Sequence, residues 1–333
     1  MPTWGELIPE LQNAAAQHGP AAFDVVRRKY LTALASYTGR NTILYATKWT
    51  QPGAADPGLI SITLEDVQGL MEVINKLDGK GGLDLLMHSP GGSPDAAEAV
   101  VHYLRSKFND IRVIVPQAAM SAATMLACAA NRIVMGKHSS LGPIDPQFIV
   151  STQSGTMAHP AQAILDQFEL AKDECKDPTL LGAWMPILPQ YGPSLIVQCI
   201  NALDLAEDLV AEWLRTWMLA PLGRDKAARK ARTIARKLAD HSKFKSHGRP
   251  IHRDAALDLG LVVDKLETDQ TLQDLVLTVY HVTMHTFAAT AAAKIIENHL
   301  GRAFVKVQVI QNVQFQLAPA PPAGPPAPAA PSP

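Results

Sequence analysis

Residues 83–104 read LDLLMHSPGGSPDAAEAVVHYL, a pattern that predicts a strand, a Gly-Gly turn and a helix. Ser93 suits the helix N-cap, and Pro94 suits the first helical position. Because Gly91 and Gly92 carry no side chain, the backbone there can approach a ligand with its N–H groups exposed, as an oxyanion hole requires. An ordinary tight turn is the alternative interpretation of the two glycines.

A second junction between a strand and a helix follows in VPQAAMSAATMLACAANRIVM, residues 115–135. Ser121 lies at the predicted N-terminus of this helix, where the helix dipole and free N–H groups favour developing negative charge. A plain helix N-cap is the alternative role for this serine. In a parallel sheet, both junctions lie at the carboxyl ends of neighbouring strands, where ligand sites form. Together they predict a nucleophile and backbone donors facing one cleft, the geometry that acyl transfer requires.

The surrounding sequence predicts the fold class. Strand and helix patterns alternate between residues 42 and 135, which indicates an α/β protein with a largely parallel sheet covered by helices. Residues 1–40 and most of 160–238 have helical patterns, and residues 271–300 predict one long helix with few charges. The proline- and alanine-rich residues 318–333 predict an extended, disordered tail.

Composition excludes several classes of protein. The chain has 333 residues, of which 47% are hydrophobic, and a formal net charge of −1, which argues against bulk electrostatic binding to nucleic acid or an anionic membrane. The three cysteines form no CxxC pair, so we expect free thiols in a reducing, cytoplasmic environment. The uncharged residues 180–203 contain three prolines, which disfavour a membrane-spanning helix.

Three motifs carry a resemblance to known peptidases: SPGG, AMSAATMLACAANRIVM and SSLGPIDPQF. Together they resemble the Clp protease proteolytic subunit, signal peptide peptidase A and their relatives, above all the serine dehydrogenase proteinase family. GRPIHRDAALDLGLVVDKL, residues 248–266, is similar to a late segment of signal peptide peptidase A. The resemblance implies a Clp/crotonase-type spiral of ββα units, with helical additions at both ends. The implied division of the chain is an N-terminal helical segment (1–40), a peptidase domain (41–266), a C-terminal helix and strand (267–317) and the tail (318–333).

The resemblance also implies site residues. Ser121 is the implied nucleophile, and backbone N–H groups near Gly91, Gly92 and Ala122 form the implied oxyanion hole. The general base stays open, because the Clp subunit uses a histidine and the corresponding region here, LGPIDPQ, contains none. Signal peptide peptidase A uses a lysine instead, for which this chain offers Lys172 and Lys176.

The helical pattern of residues 160–177 favours Lys172 as the base. Lys172 lies within the predicted apolar face near Phe168, where desolvation would lower its pKa, whereas Lys176 lies at the edge of that face. A lysine that reaches out to a carboxylate is the alternative. His88 and Asp145 are predicted supporting residues, with a core histidine and a turn residue as their alternative roles, and His247 is a second candidate base.

The sequence therefore predicts an ATP-independent serine endopeptidase that cleaves peptides or unfolded proteins through a Ser121–Lys172 dyad. No metal or cofactor is predicted. We expect a homo-oligomer, with residues 271–300 as an interface element, and a separate partner for the proline-rich tail. Two alternatives are a crotonase-like acyl-CoA hydrolase or isomerase and a catalytically inactive scaffold of the same fold.

Overall fold

The computed structural model describes residues 3–53, 56–152 and 155–308. The strands are β1 Asn41–Thr47, β2 Leu83–His88, β3 Ile111–Val115, β4 Ala118–Ala119, β5 Arg132–Met135, β6 Ser140–Leu141, β7 Gln147–Thr152, β8 Gly155–Pro160, β9 Ile251–His252, β10 Val263–Lys265, β11 Ala292–Asn298 and β12 Ala303–Val307. The helices are α1 Ile8–His18, α2 Ala22–Thr38, α3 Pro57–Ile60, α4 Glu65–Ile74, α5 Pro94–Lys107, α6 Ala122–Cys128, α7 Ala161–Glu174, α8 Pro178–Trp184, α9 Leu195–Trp213, α10 Arg224–Ala239, α11 His241–Phe244, α12 Arg253–Leu259 and α13 Gln270–Ala289.

A seven-stranded sheet with the order β10-β5-β3-β2-β1-β11-β12 forms the centre of the molecule. The strands from β10 to β1 run parallel, whereas β11 and β12 form an antiparallel pair beside β1. The predicted α/β class is therefore confirmed. Parallel strands are buried on both faces, which explains the nearly continuous apolar runs in the sequence.

Successive side chains of the sheet enter different cores. Leu85 and Met87 pack into the larger core with α4, α5, α6 and α10, whereas Leu86 packs into a second core with α2 and α13. This alternation follows from the two-residue period of a strand. Ser93 caps α5 by accepting a hydrogen bond from the Ala96 N–H, as the sequence predicts.

A small three-stranded sheet, β4-β6-β9, lies beyond the carboxyl ends of the central strands. In it, β4 runs parallel to β6 with Ala119 opposite Leu141, and β9 runs antiparallel to β6 with Ile251 opposite Leu141. Ser89, which follows β2, forms a bridge with Ala119 and so joins the small sheet to the central one.

The C-terminal part of the described chain differs from the prediction of one helix over residues 271–300. The helix α13 ends at Ala289, and the alanine-rich segment that follows is the buried strand β11. Pairing with both β1 and β12 outweighs the helical propensity of the alanines, because Ile295 and Ile296 then enter opposite cores. The predicted tail, residues 318–333, lies outside the described residues.

Residues 147–213 form an addition beside the small sheet, made of the hairpin β7–β8 and the helices α7, α8 and α9. A small core holds its first part together, with Ile164 and Cys199 among the buried residues, whereas the C-terminal half of α9 packs into the larger core through Ala206, Val210 and Trp213. In the described part of the chain, no helix has both the length and the apolar character needed to cross a membrane.

Candidate active site

Ser121 adopts a backbone conformation that serine rarely takes. It lies directly before α6 with φ +53° and ψ −122°. The Ala123 N–H donates to the Met120 carbonyl oxygen at 2.9 Å, so residues 120–123 form a type II′ turn in which Ser121 occupies the position that normally requires glycine. The Ser121 side chain makes no capping hydrogen bond, so the plain N-cap role is wrong. A strained residue between a strand and a helix, with a free hydroxyl, is typical of a catalytic nucleophile.

The glycine turn packs directly against this serine. Gly91 has φ +99°, and a Cβ added to it would lie 2.6 Å from the Met120 carbonyl oxygen and 2.7 Å from the Ser121 Cβ. Gly92 is equally confined, since a Cβ there would lie 2.3 Å from the Ile62 nitrogen. Only glycine fits at these two positions, because a side chain at Gly91 would push the turn away from Ser121, and a side chain at Gly92 would push it away from Ile62.

Two backbone donors beside Ser121 are available for an oxyanion. Among the described residues, neither the Gly92 N–H nor the Ala122 N–H donates a hydrogen bond. The Gly91 N–H differs, because it donates to the Ser89 Oγ at 3.1 Å. Of the three predicted donors, Gly92 and Ala122 therefore have free N–H groups. The N–H of Gly91 is already used, and the lack of a side chain on Gly91 lets the turn pack against Ser121.

Asp145 lies at the centre of a pair of histidines. It is almost fully buried, and its two carboxylate oxygens bind the Nδ1 atoms of His247 at 2.8 Å and of His241 at 3.0 Å. The Gln147 side-chain amide donates to the same carboxylate at 3.1 Å. In such a contact the carboxylate is the acceptor and Nδ1 the donor, and the neutral form of the ring then has its lone pair on Nε2. This is how an aspartate orients a histidine base in serine hydrolases.

The small sheet brings Asp145 and His247 to the same end as Ser121. The chain reaches Ser121 just after leaving β4 and Asp145 just after leaving the parallel strand β6. His247 comes just before the antiparallel strand β9, so it lies at that same end. Thr124 on α6 strengthens this arrangement, because its hydroxyl accepts a hydrogen bond from the Gly142 N–H at 2.9 Å.

Residues 57–188 match the family model described as ClpP-like SDH-type serine proteinase. The resemblance that the motifs carry is therefore confirmed over this segment. The segment includes Gly92, Ser121 and Asp145, and it ends before His241 and His247.

Two curated relatives come from Methanocaldococcus jannaschii, and both are named as uncharacterized proteins. MJ0137 is 35% identical over 123 residues, which cover 37% of this chain and 40% of the relative. MJ1495 is 28% identical over 204 residues, which cover 61% of this chain and 59% of the relative. The chain thus spans less than two thirds of the length of either relative. Among solved structures, a mutant of the 1510-N membrane-bound stomatin-specific protease aligns with a TM-score of 0.35 and 14% identity, over 63% of this chain and 77% of that one.

The two candidate lysines lie on the surface of α7 and just beyond it. The Lys172 side chain is 56% exposed, and its Nζ donates to the Glu169 carboxylate at 2.8 Å and 2.9 Å. Lys176 forms a similar exposed pair with Asp173. The prediction of a buried Lys172 is therefore wrong, because α7 packs only its Ala161, Ile164 and Ala171 side into the protein. The alternative, a lysine paired with a carboxylate, is what the structure has.

His88 lies on the opposite face of the sheet from the large core. Its Nε2 is 3.1 Å from the Thr50 hydroxyl, and its ring packs against Trp49 and Tyr280. Burial lowers the pKa of His88 to about 3, and a backbone group of Ala118 offsets only part of that shift. The structure thus places His88 among core residues, as its alternative role predicts, rather than with Asp145.

Sequence reasoning missed His241, which shares Asp145 with His247. The two histidines are six residues apart in a short basic segment, but nothing in the sequence connects them to an aspartate about a hundred residues earlier. Among the described residues, no group of three or more histidine, cysteine, aspartate or glutamate side chains has an arrangement suited to a metal ion.

Proposed function

We propose that this protein is a serine endopeptidase that acts on peptides or unfolded proteins without ATP, with Ser121 as its nucleophile. The observation that carries the proposal is the strained turn at Ser121. In the described part of the chain, its hydroxyl and the N–H groups of Gly92 and Ala122 have no hydrogen-bond partner. Strain of this kind is retained where function requires it. The match of residues 57–188 to a serine proteinase family supports the same reaction class.

We propose His247, oriented by Asp145, as the general base in place of Lys172. Its hydrogen bond to Asp145 is the shorter of the two, and its side chain is 27% exposed against 16% for His241. An accessible Nε2 is what a base needs in order to reach the serine proton. His241 then binds the second carboxylate oxygen and keeps Asp145 in position.

In the proposed reaction, the Ser121 Oγ attacks the scissile carbonyl carbon while the His247 Nε2 takes the hydroxyl proton. The carbonyl oxygen becomes an oxyanion that accepts hydrogen bonds from the Gly92 and Ala122 N–H groups. His247 gives the proton to the leaving amine as the C–N bond breaks, which leaves an acyl group on Ser121. Water, deprotonated by His247, then releases the acyl group.

Labelling with a fluorophosphonate probe tests the nucleophile and the base together. We expect one adduct, located on Ser121 by peptide mass spectrometry and lost in Ser121→Ala. His247→Gln and Asp145→Asn should slow labelling by at least about 100-fold, the usual contribution of a general base. His252→Gln is the matched control, because this exposed histidine of β9 makes no contact with Asp145.

Labelling also distinguishes between the alternative bases and the alternative functions. Lys172→Ala should label at the wild-type rate, and a loss of labelling in that variant would restore the dyad and refute the histidine base. If His241→Gln alone loses labelling, the two histidines exchange roles. A folded wild-type protein that does not label between pH 6 and 10 would refute the peptidase proposal, in favour of an acyl-CoA enzyme or an inactive scaffold.

We further propose that the addition formed by residues 147–213 is an interface between copies of this chain. Its surface carries many exposed apolar side chains, which are Ile149, Met157, Leu170, Leu180, Leu181, Met185, Val197, Ile200 and Leu205. Such a concentration marks an association surface. The helix α13, by contrast, packs against α2 and buries most of its apolar residues, so it offers little free surface.

Light scattering on a size-exclusion column tests this interface. The wild-type protein should be an oligomer, and the Met185→Glu variant should form an assembly of lower molecular mass. Leu64→Glu is the matched control, since both side chains are 64% exposed but Leu64 lies outside the addition. An equal effect of both substitutions, or a monomeric wild type, would contradict the proposal.

We also propose that the fold is a spiral of ββα units and that the protein resides in a reducing compartment. The succession of β3, β4 and α6 supports the first, because it is one ββα unit with Ser121 at its second junction. The unpaired thiols of Cys128, Cys175 and Cys199 support the second.

A further inference from the structure

A buried ion pair lies on the far side of the glycine turn from Ser121. Lys294, on β11, directs its Nζ at both carboxylate oxygens of Asp66, at 2.7 Å and 2.8 Å, and neither side chain is exposed. The Tyr45 hydroxyl donates to the same carboxylate at 2.7 Å. Removing an ion pair from water is costly, so its presence at a buried position calls for a role.

This ion pair holds a short segment, Ser61–Thr63, at both ends. The Lys294 Nζ donates to the Ser61 carbonyl oxygen at 2.7 Å, and the Asp66 carboxylate accepts a hydrogen bond from the Thr63 N–H at 2.9 Å. Ile62, between them, is fully buried. We refer to Ser61–Thr63 as the bracing segment.

The bracing segment in turn holds the glycine turn. The Ile62 N–H donates to the Gly91 carbonyl oxygen at 2.7 Å, and the Ser93 N–H donates to the Ile62 carbonyl oxygen at 3.0 Å. These two bonds enclose Gly92, which forms a parallel bridge with Ile62. The bonds use the groups on either side of Gly92, and the Gly92 N–H donates no hydrogen bond among the described residues.

We propose that Asp66 and Lys294 are positioning residues, which fix the Gly92 N–H in the oxyanion hole through the bracing segment. The effect on catalysis rests on the proposed function, whereas the claim that Asp66 and Lys294 hold the glycine turn rests on the contacts alone. The backbone of Lys294 is paired on both sides, opposite Thr47 of β1 and opposite Lys306 of β12. An oxyanion donor contributes fully only when it is held in place before the reaction. We infer that these contacts fix the Gly92 N–H by connecting the glycine turn to the central sheet.

The test compares two substitutions that each neutralise one buried carboxylate beside a cation. Asp66→Asn weakens the hold on the bracing segment. Glu297→Gln is the matched control. Glu297 lies on β11 like Lys294, but it pairs with the buried Arg27 of α2 and, among the described residues, makes no bond to the bracing segment. Two quantities are measured on the full chain: hydrogen exchange of the Ile62 and Ser93 amides, whose N–H groups form the two bonds between the bracing segment and the glycine turn, and the rate of fluorophosphonate labelling.

We expect Asp66→Asn to speed exchange of the Ile62 and Ser93 amides about tenfold, the effect of losing hydrogen bonds to a charged group, while Glu297→Gln leaves it unchanged. Labelling should slow about tenfold in Asp66→Asn only, since a displaced donor costs less than the 100-fold or more of a missing one. Tyr45→Phe, which removes a single hydrogen bond to Asp66, should give a smaller effect of the same sign and serves if Asp66→Asn does not fold.

Equal exchange in Asp66→Asn and Glu297→Gln, or unchanged exchange in Tyr45→Phe when it is the variant used, would overturn the proposal. Exchange that responds while labelling does not would refute the catalytic part. Failure of the wild type to label would refute the proposed function, and the exchange measurement would still decide whether the ion pair holds the turn.

Discussion

Replacing Ser121 by glycine should give a more stable protein than replacing it by alanine, although both changes remove the nucleophile. The reason is the backbone conformation of Ser121, with φ +53° and ψ −122°, which disfavours any residue that has a Cβ. Ser121→Ala keeps the Cβ and keeps the strain. Ser121→Gly removes both, and no capping hydrogen bond is lost in either case.

The expected difference is the strain minus the cost of glycine. A residue in a sparsely populated region of this kind costs about 1–3 kcal/mol. Glycine costs about 0.5–1 kcal/mol relative to alanine through the entropy of the unfolded chain. We therefore expect Ser121→Gly to be more stable than Ser121→Ala by about 1 kcal/mol, or about 2–4 °C in melting temperature for a domain of this size.

Urea unfolding followed by circular dichroism, with thermal melts in parallel, measures this difference. The control is Ala15→Gly, because Ala15 is an exposed residue in the interior of α1, where glycine carries its ordinary cost. The same chemical change, alanine to glycine, should destabilise at position 15 and stabilise at position 121.

Opposite signs at the two positions are the result that the strain argument requires. If glycine destabilises position 121 by the ordinary amount seen at position 15, then Ser121 is not strained. The main structural reason for assigning it as the nucleophile would then be lost, whatever the labelling experiment finds.

Two further predictions concern the residues around Ser121. Because burial lowers the pKa of His88 to about 3 and the unfolded histidine titrates near 6.5, only the unfolded state gains a proton between these values. His88 should therefore lower the free energy of unfolding by about 1.4 kcal/mol for each pH unit below about 6.5. Urea unfolding of the wild type and of His88→Gln at pH 7.5 and pH 5 measures this, and the variant should lack that part of the pH dependence. An identical pH dependence in the two proteins would contradict the prediction. Gly91→Ala should cost about 1–3 kcal/mol more than Gly223→Ala, since both glycines have positive φ but only Gly91 has backbone atoms where a Cβ would go; equal costs in thermal melts would show that the turn can move away from Ser121.

Much of this protein follows from local sequence patterns. The alternation of strands and helices, the Ser93 N-cap and the two junctions at Gly91–Gly92 and Ser121 are all properties of short segments. A strand or helix pattern depends on residues a few positions apart, and two adjacent glycines after a strand favour a turn because glycine accepts the positive φ that turns require. These features were therefore predictable without knowledge of tertiary contacts.

The prediction of Lys172 as a buried base shows where such reasoning ends. Periodicity correctly indicates which residues share a face of α7. However, the part of that face that packs against the rest of the protein is narrower than the apolar face itself. α7 packs on its neighbours through a narrow line of residues that includes Ile164 and Ala171, and Lys172 lies outside it with Glu169. How much of a helix face is buried depends on the neighbouring elements.

The sequence by itself determined the α/β class, the two junctions and the identity of the candidate nucleophile, because each is encoded within a single local segment. Only the tertiary structure decided which groups surround that nucleophile. Asp145 meets His241 and His247 because β6 and β9 pair antiparallel, and Lys294 meets Asp66 because β11 inserts beside β1. Contacts between residues about a hundred or more positions apart depend on strand pairing across the whole chain, and no local pattern of residues specifies that pairing.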